Sequence, residues 1–330
     1  MSVQSGQLCF RYTKYWIFDI RSVSGKKSQP SVIALRRCSE NTVATVSIVT
    51  PSFNQGQYLE QTILSVLSQS YPHIEYLILD GGSTDGSVEI IKKHQAKLVY
   101  WHSRPDKGFA DAIAQGIQRS KGEILGYLNS DDLLAPDAVE KAVEVLSRRQ
   151  DVLMIYGNRV CIDERGQLLY YQPNLPILSR TPYIAMTIGQ ESCFWRREIY
   201  LKVGGINTDL KFAIDYDLFS KITLQGKVIH AGNVWGFFRK HSNSKTTAQY
   251  RTLGKQESAA IQISVWGKRV NRIKWLSVLL LMRFYARCFM IFTKKPQWPA
   301  CLPQIEKRFI FHRILNSLGG NHRHSGCRVL

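Results

Sequence analysis

The sequence predicts an α/β fold with a mainly parallel sheet flanked by helices, and three observations lead there. Short runs rich in β-branched and aliphatic residues recur at TVSIVT (45–50), EYLILD (75–80), KLVYW (97–101), EILGYLN (123–129) and DVLMIYG (151–157). Between them lie stretches with apolar residues at helical spacing. The connections are short and polar. Strand–helix alternation of this kind makes successive strands parallel, with helices covering both faces of the sheet.

Each element has its own signal. TVSIVT ends at Pro51 and the loop SFNQGQ follows. From Tyr58 to Gln69, Leu59, Ile63, Val66 and Leu67 share one helical face. EYLILD gives way to the turn GGSTDGS (81–87), where Thr84 or Asp85 can cap the helix VEIIKKH. A third strand is expected over 97–101. A helix is expected from Phe109 to Ser120, stopped by Gly122. After the fourth strand comes SDDLLA, then a helix with Pro136 in its first turn and Asp137 beside it. In parallel sheets ligands bind beyond the carboxyl ends of the strands. That rule gathers three polar loops, Pro51–Gln55, Asp80–Asp85 and Asn129–Asp132, at one edge.

The chain has 330 residues and a formal net charge of +19. Residues 1–45 contribute +5 and residues 251–330 contribute +13, so the body between them is nearly neutral. We therefore expect an irregular basic extension over 1–44, a catalytic-type domain over 45–250 and a basic, helical, amphipathic extension over 251–330. Within the domain, 45–157 carries the regular strand–helix alternation, and the less regular half 158–250 looks like an acceptor-facing part. The basic ends favour anionic partners, or serve as solubilising tails. Seven scattered cysteines without a CxxC pair argue against a disulfide framework and a zinc site, and fit a reducing compartment. The N-terminal residues lack a clean apolar leader, and WLSVLLLMRFYARCFMIF (275–292) is interrupted by Arg283 and Arg287. A cytoplasmic protein is expected, held peripherally on the inner face of a membrane. Its contact would be the segment 266–292, in which Trp275, Leu276, Leu279, Leu280, Phe284, Phe289 and Ile291 alternate with Lys268, Arg269, Arg272, Lys274, Arg283 and Arg287. A helix packed back on the sheet is the alternative.

Several carboxylates could carry chemistry. Asp131 and Asp132 repel each other when both ionise, and a hard divalent cation, Mn²⁺ or Mg²⁺, would offset that repulsion. A solvated loop with one Asp capping the next helix is the alternative. Asp80 precedes Gly81–Gly82 and can either accept a hydrogen bond from a nucleobase or close an Asx turn. Asp215 and Asp217 in AIDYDLF could supply a general base, or an N-cap. His241 could complete a metal shell, or stand alone on the surface.

Taken in order, these motifs resemble the inverting family-2 glycosyltransferases. VSIVTPSFNQGQYLEQTILSVLSQSYPHIEYLILDGGSTDGS is similar to that family's nucleotide-binding opening, and RPDKGFADAIAQGI (104–117) to its donor-side loop and helix. YLNSDDLLAPDAV (127–139) is similar to its D-x-D element. GQESCFWRREIYLKVGGIN with AIDYDLF resembles the acceptor half, and FRKHSNSKT the closing segment. The resemblance covers roughly residues 45–245. It implies a GT-A fold with a Rossmann-type sheet, a nucleotide-sugar donor, UDP-linked by expectation, and a saccharide or lipid-linked acceptor. It places Thr50, Pro51, Phe53, Asn54, Asp80, Asp106, Lys107 and Asp131 at the donor. The metal falls to Asp131 and Asp132, the latter most directly, with His241 a further ligand. Asp215 takes the base position, with Asp217 its competitor. Ile214 stands where the family often has Glu, and Asn129 where a D-x-D would begin. Two other readings are weaker. A sugar-nucleotide nucleotidyltransferase would need a basic Gly-rich loop after the first strand, and PSFNQGQ has no Lys or Arg. A non-catalytic nucleic-acid-binding protein recruited through the basic ends would interleave basic and aromatic residues on one face. YARCF and KRFIFHR hint at that, but the near-neutral body with its three carboxylate loops does not, so no specific nucleic-acid partner is expected.

Overall fold

The computed structural model describes residues 43–174, 187–242, 244 and 250–292. The extension over 1–42, the residues beyond 292, and the side chains of Phe289 and Ile291 lie outside this set. So do all the cysteine side chains except those of Cys161 and Cys193, which are buried and free.

Strand β1 (Val46–Ser52) lies between β2 (Ile74–Asp80) and β4 (Ile124–Tyr127), and β3 (Tyr100–Ser103) flanks β2. All three pairings are parallel. The register sets Ser52 beside Asp80, and Asp80 beside Ser103. Three strands therefore end level with one another, and their loops open on one edge. Helices α1 (Gly56–Leu67), α2 (Ser87–His94) and α3 (Phe109–Arg119) connect them, and α4 (Ala138–Arg148) follows after β4.

Alternation along β1 and β2 divides the core. Ile48, Tyr76 and Ile78 pack with Leu59, Ile63 and Val139 on one face. Val49, Leu77 and Leu79 pack with Ile113, Leu218 and Phe219 on the other. Burying each such aliphatic side chain is worth about 1.5–3 kcal/mol, so a sheet covered on both faces is strongly favoured.

Beyond β4 the sheet becomes mixed. Strand β5 (Leu133–Leu134), β6 (Val152–Ile162), β7 (Leu168–Gln172), β8 (Cys193–Arg196) and β9 (Lys227–Arg239) follow. Strand β8 inserts antiparallel between β4 and β6, while β9 runs parallel to β6. Helices α5 (Arg197–Lys202), α6 (Ile214–Gln225), α7 (Lys255–Trp266) and α8 (Arg272–Phe292) complete the described elements.

Some local expectations shift. The third strand begins at Tyr100 because Leu98 closes a 3-10 turn onto Gln95. Strand β6 continues five residues past Gly157, because its partner β9 is long enough to pair with it up to Ile162. Helix α3 ends without a left-handed glycine. Gly122 is needed instead for close approach, since a Cβ there would sit 2.4 Å from Ser47 Oγ. Asp137 occupies the N-cap of α4 without capping it and pairs with Lys141.

Candidate active site

The first two loops are tied together by their own polar groups. Asn54, in the left-handed region at φ 51°, accepts from Thr84 N–H (2.9 Å) on its side-chain oxygen, and its own N–H donates to Ser83 Oγ (2.7 Å). The Asp85 carboxylate accepts from the first N–H groups of two helices, Gly56 of α1 (2.8 Å) and Ser87 of α2 (3.1 Å). Such an anion satisfies otherwise orphaned donors and favours both helix dipoles. Sequence reasoning named Asp85 as a cap for α2 and missed its bond to α1.

Asp80 takes the Asx-turn role. Its Oδ2 accepts from Gly82 N–H, Ser83 N–H and Ser103 Oγ, its Oδ1 accepts from Ser83 Oγ, and the residue is fully buried. Both oxygens are engaged, by the loop and by Ser103 at the end of β3, so Asp80 shapes this edge from beneath. Thr50 is likewise buried, sharing a 3.0 Å hydrogen bond with Tyr76, and Pro51 is buried beside it. The groups that reach the open edge are Phe53, 60% exposed, and Asp106. They flank Gly81, where a Cβ would meet the Phe53 ring at 3.2 Å and Asp106 Oδ2 at 3.3 Å. An exposed ring face with a carboxylate beside it can stack on a planar base and accept from its N–H. Lys107 is exposed on the same loop.

The pair Asp131–Asp132 divides into two roles. Asp132 is fully buried; Arg239 N–H donates to its Oδ1 (2.9 Å) and Gln190 Nε2 to its Oδ2 (2.9 Å). Burial first, then the charges of Asp131 and Glu191, hold its carboxyl well above the usual range. Both Asp132 oxygens, expected to meet the metal most directly, already have protein partners here, whereas Asp131 is the less buried of the two. Asp131 keeps partial exposure, its side chain 17% accessible, and its Oδ2 lies 2.9 Å from His241 Nε2. The two are brought together by the short antiparallel ladder of β5 on β9, Leu133 with Phe237 and Leu134 with Gly236, which returns the chain to the loop after β4.

Arg239, which sequence reasoning missed, locks this return. Its guanidinium donates to the carbonyls of Asp131, Asp163 and Glu164 and to Gln61 Oε1, and it stacks 4.9 Å from the Tyr58 ring. The Tyr58 ring also contacts the His241 ring, with centroids 4.9 Å apart. An Arg at the end of an apolar strand carries no local signal of this function.

Among the described residues no group of three His, Cys, Asp or Glu forms a metal cage. The Asp131–His241 pair does suit a metal held jointly with a ligand. Asp131 Oδ2 and His241 Nε2, 2.9 Å apart, are the two groups that would hold a divalent ion. One carboxylate oxygen and one imidazole nitrogen are donors that would suit Mn²⁺.

The base candidates separate as clearly. Both lie in the first turn of α6. Asp217 is buried and bound to Lys221 Nζ at 2.7 Å. Asp215 has no ion-pair partner among the described residues and keeps some exposure; its Oδ1 accepts from Tyr216 N–H (2.8 Å). Burial pushes its carboxyl up to about 6, the Tyr216 N–H and Arg159 oppose the rise, and Glu191 adds to it. Glu191 and Arg159 also act on Asp132, so the two carboxylate groups share one buried ion pair, with Arg159 Nη1 3.5 Å from Glu191 Oε1. Neither Glu191 oxygen makes a hydrogen bond among the described residues, and a Cβ on Gly189 would fall 2.6 Å from one of them. Sequence reasoning quoted GQES without assigning Gln190 or Glu191 a role.

Comparison with known proteins gives this geometry a family. The model for "Glycosyl transferase family 2" matches residues 47–204. An uncharacterised glycosyltransferase of Mycobacterium tuberculosis is 33% identical over 184 residues, covering 54% of this chain and 69% of that protein. The chain belongs to glycosyl transferase family 2. Within this family it is also similar to a chondroitin synthase of Escherichia coli, 29% identical over 194 residues, and a hyaluronan synthase of Pasteurella multocida, 30% over 196. It spans 28% and 20% of those longer proteins. The fold is of GT-A type. Staphylococcus aureus TarS 1–349, solved with UDP-GlcNAc, superposes with a TM-score of 0.55 at 15% identity, covering 83% of this chain and 80% of that one. The mannosyltransferase PcManGT of Pyrobaculum calidifontis, solved with GDP-Man and Mn²⁺, gives 0.53 at 18%, covering 75% and 74%.

Proposed function

We propose that this chain transfers a sugar from a nucleotide-sugar donor, UDP-linked by preference, to a hydroxyl of a saccharide or lipid-linked acceptor, with inversion at the anomeric carbon, in polysaccharide, cell-envelope or glycolipid synthesis. The observations that carry the reading are the pairing of Asp131 with His241 and, in the first turn of α6, an Asp215 that has no ion-pair partner among the described residues. Family membership supports glycosyl transfer as the reaction class.

Phe53 stacks on the base, and Asp106 accepts from its edge, with Asp80, Thr50, Pro51 and Asn54 holding the loop beneath them. Lys107 lies where it can meet donor phosphate charge. Asp131 and His241 are the residues that would hold Mn²⁺ or Mg²⁺; Asp132 acts from behind by fixing the loop through Arg239 and Gln190. When bound, such an ion neutralises charge developing on the departing diphosphate. Asp215 accepts the proton of the acceptor hydroxyl. The oxygen forms a bond to the anomeric carbon as the bond to the diphosphate breaks on the opposite face, which inverts the centre. Asp217, bound to Lys221, keeps the turn in place.

The test is thermal melting of the full chain with a panel of UDP- and GDP-sugars, with and without Mn²⁺, alongside assay of nucleoside diphosphate release. A ligand that binds the folded state raises the melting temperature. We expect one donor class to stabilise, more so with Mn²⁺, and to be turned over with a suitable acceptor. No stabilisation by any nucleotide-sugar would refute the reading.

A further inference from the structure

Helix α8 is apolar on two opposite faces, and the fold uses one of them. Trp275, Val278, Leu279 and Met282 lie on the covered side, with Met282 buried. On the other side Ile273, Leu276, Leu280 and Phe284 are 75%, 59%, 63% and 66% exposed. At 3.6 residues per turn these four fall in a stripe about 80° wide. Arg272 and Arg283 border one edge of the stripe, Lys274 stands beyond the other, and Arg287 continues it past Phe284; all four are exposed.

We propose that this stripe docks on an anionic lipid bilayer, with α8 lying in the interface. Charge identifies the occupant. Between Glu257 and Glu306 the sequence has eight Lys or Arg and no Asp or Glu. A second copy of the helix would set arginine rows against arginine rows with no carboxylate to offset them. A nucleic acid offers phosphates but no apolar layer for Leu280 and Phe284. A bilayer supplies anionic headgroups at the level of the basic residues and acyl chains at the level of the stripe. The helix lies on the membrane rather than through it: no described helix is long and apolar enough to cross one. With 21 residues it would lay a line roughly 31 Å long on the surface.

The test uses the full chain and two variants, Leu280→Ser with Phe284→Ser, and Arg272→Gln with Arg283→Gln. All four positions are exposed, so unchanged melting and circular dichroism are expected. Flotation compares vesicles of phosphatidylglycerol and phosphatidylcholine with vesicles of phosphatidylcholine alone. The unaltered chain should float with the anionic vesicles, and less so as salt rises. Each arginine removed should lower that partitioning roughly five-fold, so the charge variant should bind on the order of 25-fold more weakly. The serine variant should lose most of it. Flotation of both variants equal to that of the unaltered chain, or no flotation of the unaltered chain at low salt, overturns the proposal. So does a dimer, seen by analytical ultracentrifugation, that the serine variant dissociates in the absence of vesicle binding. Nucleotide-sugar binding is measured in parallel, so failure here is distinguishable from failure of the catalytic reading.

Discussion

Asp131 Oδ2 and His241 Nε2 stand 2.9 Å apart although 110 residues separate them in the chain. Their meeting depends on Arg239, whose N–H holds Asp132 and whose guanidinium holds the Asp131 carbonyl. Asp131 stays partly exposed while its neighbour Asp132 is fully buried and held by Arg239 and Gln190.

That division makes the two aspartates separable by mutation. Asp131→Ala should lower turnover by about 10²-fold or more and abolish its response to Mn²⁺, with little change in melting temperature. Asp132→Ala should instead destabilise, by about 1–3 kcal/mol for each buried donor left without its acceptor. Urea titration of both variants, with turnover measured against Mn²⁺ concentration, checks this. Equal stability with equal loss of metal response would return Asp132 to the metal.

The proton-accepting carboxylate should show itself in the pH profile. To serve as the proposed base Asp215 must be ionised, and burial pushes its carboxyl up to about 6. Turnover should therefore rise through pH 6 and level above it, where an ordinary carboxylate would level near pH 4. Glu191 raises Asp215, so Glu191→Gln removes a negative charge and should move the acid limb to lower pH. The pH dependence of kcat in the two proteins decides; an unmoved limb would separate Glu191 from the base.

At the donor edge, Phe53→Ala should weaken nucleotide affinity without disturbing the fold, because the ring is 60% exposed. Loss of one base–aromatic stack is worth about 1–3 kcal/mol, or roughly 5- to 150-fold in Kd. Calorimetric titration with the free nucleoside diphosphate measures it. Unchanged affinity would place the base elsewhere.

The alternative base is tested separately. Asp217→Asn should keep most turnover and lose about 1 kcal/mol of stability with its bond to Lys221. A folded but inactive protein would show that the wrong carboxylate of α6 had been chosen.

The parallel half of the sheet was legible because its strands are continuous apolar runs and its loops are short. Local pattern is sufficient there, and the sites at strand ends follow from parallel topology. What could not be read was set by pairing at long range. The ladder joining Leu133–Leu134 to β9 is two residues long, too short for a periodic signal, yet it brings His241 to Asp131. The Asp80 carboxylate had two good local outcomes, and Ser103, supplied by a neighbouring strand, belongs to the network that takes both oxygens. Asp215 and Asp217 share one helical turn, and Lys221, one turn on, distinguishes them. Glu191 and Arg159 meet across separate elements, so neither residue alone announced the pair.

The central claim is that Asp215 takes the acceptor proton in a sugar transfer. Comparing the unaltered chain with Asp215→Asn, by donor-binding calorimetry and by nucleoside diphosphate release with a saccharide acceptor, tests it most directly. The amide is close in shape and cannot accept the proton, so donor affinity should hold within about two-fold while turnover falls by at least about 10²-fold. Its melting temperature at pH 8 should be equal or higher, because a buried charge has been removed. Turnover by Asp215→Asn within a few-fold of the unaltered chain would contradict the account.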